Sequence, residues 1–123
     1  MKKKYDLEDR LIAFSLNSSV LINKIEDTAY GKYIAGQLIR SSTSPALNYG
    51  EAQSAESPKD FIHKASIILK ELRESKIALK IALLKPLVQD LVAVKTLIEE
   101  SDELIAIFIQ CKKTTEKRIQ SKE

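Results

Sequence analysis

The stretch from Gln37 to Ser75, QLIRSSTSPALNYGEAQSAESPKDFIHKASIILKELRES, decides the fold. Within it, Ser57 can cap a helix, Pro58 suits the first helical position and Asp60 favours the first turn. Apolar residues at helical spacing lie on both sides of this start signal. The stretch therefore predicts two long antiparallel helices joined by a short polar turn, with Pro45 kinking the first of them.

Two further segments, one on each side of this hairpin, carry apolar residues in alternating steps of four and three. This spacing is typical of helices that face a bundle core. Short connections between four such helices favour antiparallel neighbours. We predict an all-α, up-down-up-down four-helix bundle with helices over about residues 5–25, 29–53, 57–85 and 88–118.

The composition is that of a single globular domain spanning residues 1–123, with short basic tails at both ends. Cys111 is the only cysteine, which excludes an intrachain disulfide. The longest apolar run, Leu104 to Ile109, is far shorter than the roughly 20 residues of a membrane span. Because Met1 is followed by charged rather than apolar residues, we expect no signal peptide, no membrane partner and a cytoplasmic location.

The net charge of +3 is distributed unevenly along the chain. Lys2 to Lys4 contribute +3, and residues 112–123, with five basic and two acidic residues, contribute another +3, so the residues between them carry −3. The topology places both tails and the second turn at one end, here called the basic pole. It is either a solvated surface or a phosphate-binding one. The candidate nucleic-acid-binding residues are Lys2, Lys3, Lys4, Lys59, Lys64, Lys112, Lys113, Lys117 and Arg118.

The central hairpin also sets a register, because residues pair across it where their numbers sum to about 111. This register places Arg40 opposite Glu71 and Glu74, Asn48 opposite His63, and Glu51 near Asp60 and Lys64. Such groups either form a structural polar network or make His63 a general base oriented by Asp60 or Glu51. A single histidine without a nucleophile favours the structural network. Its predicted members are Arg40, Asn48, Glu51, Asp60, His63, Glu71 and Glu74.

Enzyme classes fit the sequence poorly. The three glycines are scattered, whereas nucleotide-binding loops need clustered ones. One cysteine and one histidine cannot supply a zinc site, and the paired Glu-x-x-His motifs of di-iron bundles do not occur. The acidic cluster of Glu99, Glu100, Asp102 and Glu103 is typical of a solvated helix face rather than a cation site. We therefore expect a non-catalytic protein without metal or cofactor.

The segment from Arg40 to Ser75 closely resembles the core signature of the bacterial 23S rRNA intervening-sequence proteins, often called four helix bundle proteins. The resemblance implies a left-handed antiparallel bundle that assembles into a ring-like homopentamer. A related group, the accessory variability proteins of diversity-generating retroelements, binds nucleic acid and a reverse transcriptase. The chain departs from the family at Ile77-Ala78-Leu79, where many members carry an aromatic pair before the leucine.

The first and fourth helices carry more apolar residues than one bundle core needs, which favours assembly over a monomer with a thick core. The leading hypothesis is a homo-oligomer that binds RNA or DNA through the basic pole. The alternative is a scaffold that docks a partner protein and does not bind nucleic acid.

Overall fold

The computed structural model describes residues 6–122. Its helices are α1 (Leu7–Ile22), α2 (Ala29–Gln53), α3 (Pro58–Leu84) and α4 (Leu91–Ser121), and no strand occurs within those residues. Each helix packs against the next one in the chain, and α4 returns to α1 over a smaller interface. The predicted all-α, four-helix fold is confirmed. None of the described helices combines the length and apolar character that crossing a bilayer requires.

Every helix starts at a side chain that caps it. In each case the capping oxygen accepts a hydrogen bond from the backbone N–H three residues later, which satisfies an amide that the helix itself leaves unpaired. The Asp90 cap starts α4 at Leu91 rather than near residue 88, and α1 ends at Ile22 rather than near residue 25. The four caps are Asp6, Thr28, Ser57 and Asp90.

The core is filled by leucine and phenylalanine side chains from all four helices. Phe14 of α1 and Phe108 of α4 are its largest fully buried members, and Tyr49 meets Phe108 edge to face with ring centroids 5.7 Å apart. Pro45 is also buried, and α2 continues through it. The remaining fully buried large side chains are Leu11, Leu21, Leu38, Ile68, Leu72, Leu79, Val94 and Leu104.

Each helix also contributes at least one buried serine, and these residues are at most 1% exposed. The Ser75 hydroxyl donates to Ser41 Oγ at 2.9 Å and so joins α3 to α2. The Ser101 hydroxyl donates to the Ile98 carbonyl within α4 at 2.7 Å. The Ser18 hydroxyl of α1 has no hydrogen-bond partner among the described residues. The core therefore contains one satisfied interhelical polar pair and one unsatisfied hydroxyl.

The α1–α2 and α3–α4 loops are tied together at the end of the bundle opposite the basic pole. The Glu26 backbone N–H donates to the Leu87 carbonyl at 2.9 Å, and Leu87 N–H donates to the Ala82 carbonyl at 2.9 Å. Lys24 lies 3.8 Å from the Asp90 carboxylate. Leu87 and Val88 are buried, and the Lys85–Pro86 peptide bond is cis. These contacts close this end of the bundle and leave the α2–α3 turn at the other.

Candidate nucleic-acid interface

The structure brings the last turns of α4 against the α2–α3 turn. Thr115 and Arg118 line a cleft of about 380 Å³ whose other wall includes Ser57, Pro58 and Phe61. Arg118 therefore lies beside the start of α3, where the up-down-up-down topology places it. Lys2, Lys3 and Lys4, which were also assigned to the basic pole, lie outside the described residues.

Most of the described cations at the basic pole project into solvent. Lys59, Lys113, Lys117 and Arg118 are exposed, and Lys112 is half-buried. Within residues 6–122 none of the five lies within 4.0 Å of a carboxylate. Their charges are therefore available to an anionic partner.

Lys64 is the exception among the candidate contacts. Its ammonium lies 2.6 Å from Glu51 Oε1, and this hydrogen bond is the main reason that the pKa of Lys64 is raised. A phosphate would have to compete with the Glu51 carboxylate for this cation. Lys64 is therefore a weaker candidate than the unpaired lysines of α4, although the pairing with Glu51 agrees with the register of the hairpin.

Arg40 joins α2 to α3 as the same register predicts. Its guanidinium lies 2.8 Å from Glu71 Oε1 and 2.7 Å from Glu74 Oε1, and it also donates to Gln37 Oε1 at 3.1 Å. Glu71 is almost fully buried, at 8% exposure. The hydrogen bond from Arg40 is the largest cause of the lowered pKa of Glu74. This cluster stabilises the register of the hairpin.

The register places Asn48 opposite His63, but no hydrogen bond joins these two side chains among the described residues. The Asn48 amide donates instead to the Ser44 carbonyl at 3.0 Å and to Ser44 Oγ at 2.9 Å, because both acceptors lie one turn earlier in the same helix. His63 is exposed on α3. The Asp60 carboxylate accepts from the Glu56 backbone N–H at 3.3 Å, within the turn that it caps. No hydrogen bond joins His63 to a carboxylate among the described residues, so the general-base hypothesis gains no geometric support.

The acidic cluster of α4 takes part in helix packing. Glu100 and Glu103 each lie 2.8 Å from the Arg10 guanidinium of α1, and Asp102 lies 2.6 Å from Lys76 of α3. The described residues contain no group of three or more side chains placed to hold a metal ion. These carboxylates therefore act as bridges to both neighbouring helices.

Sequence reasoning missed a second basic surface, on the outer face of α3. Lys70, Arg73 and Lys80 are exposed there, and none forms an ion pair among the described residues. The signal is present in the sequence, because these residues repeat in steps of three and seven, which places them on one face of a helix. The whole outer face, which has no acidic member, consists of Lys59, His63, Ser66, Lys70, Arg73, Ile77, Lys80 and Leu84.

Beside this face lies an apolar depression, here called the α2–α3 cleft. Its volume is about 580 Å³. Tyr33 and Gln37 contribute from α2, and Arg73, Ile77 and Ile81 contribute from α3. The cleft lies between the register-setting Arg40 cluster and the tied loops. Its remaining lining residues are Ile34, Ser41, Lys70, Glu74 and Ala78.

The fold has a solved counterpart. A protein of unknown function from the S23 ribosomal protein family of Bacteroides thetaiotaomicron matches with a TM-score of 0.78 and 25% sequence identity, over 86% of this chain and 97% of that chain. No protein-family model and no curated protein matches the sequence. The solved structure supports the family that the Arg40 to Ser75 segment implies, and this chain is a four-helix bundle protein similar to the S23 ribosomal protein family.

Proposed function

We propose that this protein is a non-catalytic, oligomeric four-helix bundle that binds RNA or DNA through its basic pole. The observation that carries the proposal is the position of Arg118 against the start of α3, in a cleft shared with Ser57 and Phe61. Exposed and unpaired lysines flank this position on α4. Such an arrangement offers phosphate contacts and little readout of base edges.

The positive charge at this end is concentrated on the α2–α3 turn and the last turns of α4. Excluding the mutually paired Lys64 and Glu51, six cations in these two segments face three carboxylates, a local net charge of +3, which Asp6, Glu8 and Asp9 at the start of α1 offset. The cations are Lys59, Lys112, Lys113, Lys117, Arg118 and Lys122, and the carboxylates are Glu56, Asp60 and Glu116. Each lysine or arginine that neutralises a phosphate releases counterions, so binding would weaken steeply with salt.

The test is a salt titration. Fluorescence anisotropy with a labelled random 20-mer RNA should show log affinity falling linearly with log salt between about 50 and 200 mM. Replacing Lys112, Lys113, Lys117 and Arg118 with Ala should weaken binding and flatten this slope. The matched control replaces four exposed cations outside the pole, Lys24, Lys32, Lys85 and Lys95, with Ala. Salt-independent binding, or equal effects of the two quadruple variants, would contradict the proposal.

The oligomeric part of the proposal is supported by an apolar surface on α1 and α2. Its side chains are between 41% and 67% exposed. The sequence predicted excess apolar residues on the first and fourth helices, but those of α4 are largely buried and α2 provides the second exposed set. A set of exposed apolar side chains on two neighbouring helices is typical of an interface. Its members are Ile12, Leu16, Val20, Ile39 and Leu47.

The pentameric number comes from the family resemblance, and native mass spectrometry tests it. We expect a pentamer for the wild-type protein and dissociation for the Leu16→Glu, Leu47→Glu double variant, because charges would enter the interface. Val92 is also strongly exposed but belongs to α4, so Val92→Glu is the control that should leave the mass unchanged. A monomeric wild type would contradict assembly.

The alternative function is a scaffold that docks a partner protein without binding nucleic acid. The same apolar surface on α1 and α2 favours it, since a partner could cover the five exposed side chains. A protein that remains monomeric and shows no salt-dependent affinity for RNA would support this alternative.

A further inference from the structure

The α2–α3 cleft combines an aromatic ring, apolar walls and two cations. At about 580 Å³ it falls within the range of roughly 300–1,000 Å³ that is typical of small-molecule sites. Tyr33, whose side chain is 62% exposed, lies on one wall, and Ile77 and Ile81 lie on the other. The cleft can therefore accommodate a flat apolar group beside the tyrosine ring.

The charges around the cleft favour an anionic ligand. Lys70 and Arg73 line it and form no ion pair with the described carboxylates. The one carboxylate in the lining, that of Glu74, is already bound by Arg40 at 2.7 Å. Lys70 and Arg73 therefore remain available to an anionic ligand, whereas Glu74 is already paired with Arg40. Lys80 continues the same face, ten residues and about 15 Å beyond Lys70.

An exposed aromatic ring beside a row of unpaired cations is how proteins hold a single nucleic-acid strand. The ring stacks on a base, whose π-face is available in every nucleotide, and the cations follow the phosphates. A base inside a duplex is already stacked and paired, so it could not enter the cleft. The basic tails lack aromatic residues, whereas Tyr33 supplies one in the same cleft as Lys70 and Arg73.

We infer that the α2–α3 cleft binds an unpaired base of single-stranded nucleic acid, stacked on Tyr33, while Lys70 and Arg73 hold the neighbouring phosphates. This inference rests on the proposed nucleic-acid binding and specifies the strandedness of the ligand. The strand runs from the basic pole along the outer face of α3, where Lys59 lies at one end and Lys80 at the other.

The experiment measures anisotropy of a fluorescein-labelled 12-mer oligouridylate at one fixed salt concentration. Tyr33→Ala should weaken binding by about fivefold or more, because stacking on an aromatic side chain contributes substantially per base. Tyr33→Phe, which keeps the ring, should bind like the wild type. The matched control is Tyr30→Ala, an exposed tyrosine one turn earlier in α2 that does not line the cleft.

Two further arms separate stacking from charge. An abasic 12-mer of equal charge should bind the wild-type protein more weakly than oligouridylate, and Tyr33→Ala should remove this preference. The Lys70→Ala, Arg73→Ala double variant should reduce the salt slope by about 1.4, since each contact to a single strand contributes roughly 0.7. Lys32→Ala with Lys95→Ala is the charge-matched control. The inference would be overturned if a duplex of the same length bound as tightly as the single strand and Tyr33→Ala did not change the affinity.

The outcomes also distinguish this inference from the proposed function. If the basic-pole variant weakens RNA binding and Tyr33→Ala does not, the pole binds nucleic acid and the cleft does not. If the wild-type protein binds no RNA, both fail. If Tyr33→Ala leaves RNA affinity unchanged but alters the native mass, the cleft is an interface between copies and the inference is wrong. Circular dichroism should show an unchanged helical signal for Tyr33→Ala, since the side chain is largely exposed.

Discussion

Gly31 is the position where a single added methyl group should have the clearest effect on stability. It lies in the first turn of α2, is buried, and donates its backbone N–H to the Thr28 cap at 3.0 Å. A Cβ atom at this position would collide with the Glu26 carbonyl oxygen and would lie 3.1 Å from both Ile25 Cγ2 and Thr28 Oγ1. The Glu26 backbone cannot easily move away, because its N–H is bound to the Leu87 carbonyl.

The magnitude follows from three opposing contributions. Alanine is favoured over glycine inside a helix by roughly 0.5–1 kcal/mol. Overpacking a tight site costs about 1–3 kcal/mol, and disturbing the cap adds about 1 kcal/mol. Gly31→Ala should therefore destabilise the protein by about 1–3 kcal/mol. Gly36 lies in the same helix with nothing within 4 Å of its added Cβ, so Gly36→Ala should stabilise it by roughly 0.5–1 kcal/mol.

Urea unfolding followed by circular dichroism at one fixed protein concentration measures both variants. The midpoints should move in opposite directions from the wild-type value while the slopes stay the same. Equal stability of Gly31→Ala and Gly36→Ala would refute the reasoning, because only the new methyl group at Gly31 meets the Glu26 carbonyl and the Thr28 cap. Gly50→Ala, also in open space, should behave like Gly36→Ala.

The remaining predictions concern buried polar groups, pH and the thiol. Ser75→Ala should destabilise the protein by about 1 kcal/mol, because it removes an interhelical hydrogen bond. Ser18→Ala should be neutral or stabilising, since its hydroxyl is buried without a partner among the described residues; a large loss of stability would show that the hydroxyl is bonded. Arg40 lowers the pKa of Glu74, so their interaction is fully present above the ordinary glutamate pKa and is lost as pH falls through the lowered value. The stability difference between the wild type and Arg40→Met should therefore shrink on acidification, and a constant difference would contradict this. Burial raises the pKa of Cys111, so its reaction with Ellman's reagent at pH 8 should be slower than that of a free cysteine, and should reach the free rate in urea.

Much of the fold could be predicted because local signals agree with the global pattern. Ser57, Pro58 and Asp60 mark the start of α3 in the sequence, and the structure starts α3 at Pro58. The predicted start of the second helix at residue 29 also agrees with the structure, in which Thr28 caps α2. The start of α4 was placed too early because Leu87 and Val88 continue the apolar pattern, although they are buried in the loop rather than in the helix.

The candidate site could be predicted less well, because a register fixes which residues are near one another but not which hydrogen bonds they make. Arg40 reaches Glu71 and Glu74 across the hairpin because a guanidinium is long and forked. Asn48 is short, so it bonds within its own helix rather than to His63. The shape of the α2–α3 cleft depends on how large and small side chains of the two facing helices match. The sequence of one helix alone does not contain this information.

The backbone hydrogen bond between Glu26 and Leu87 makes the two ends of the bundle differ in how easily their helices separate. At that end both loops are fastened to each other, so the four helices cannot separate there without breaking the bond. At the basic pole the α2–α3 turn is the one connection between helices among the described residues. The helices should therefore separate transiently at the basic pole more often than at the end with the tied loops. Native-state hydrogen exchange should be fastest in the last turns of α4. A ligand bound across the basic pole would hold the helices together at that end. It should slow hydrogen exchange near Arg118 and leave the exchange rates of the Glu26 and Leu87 amides unchanged.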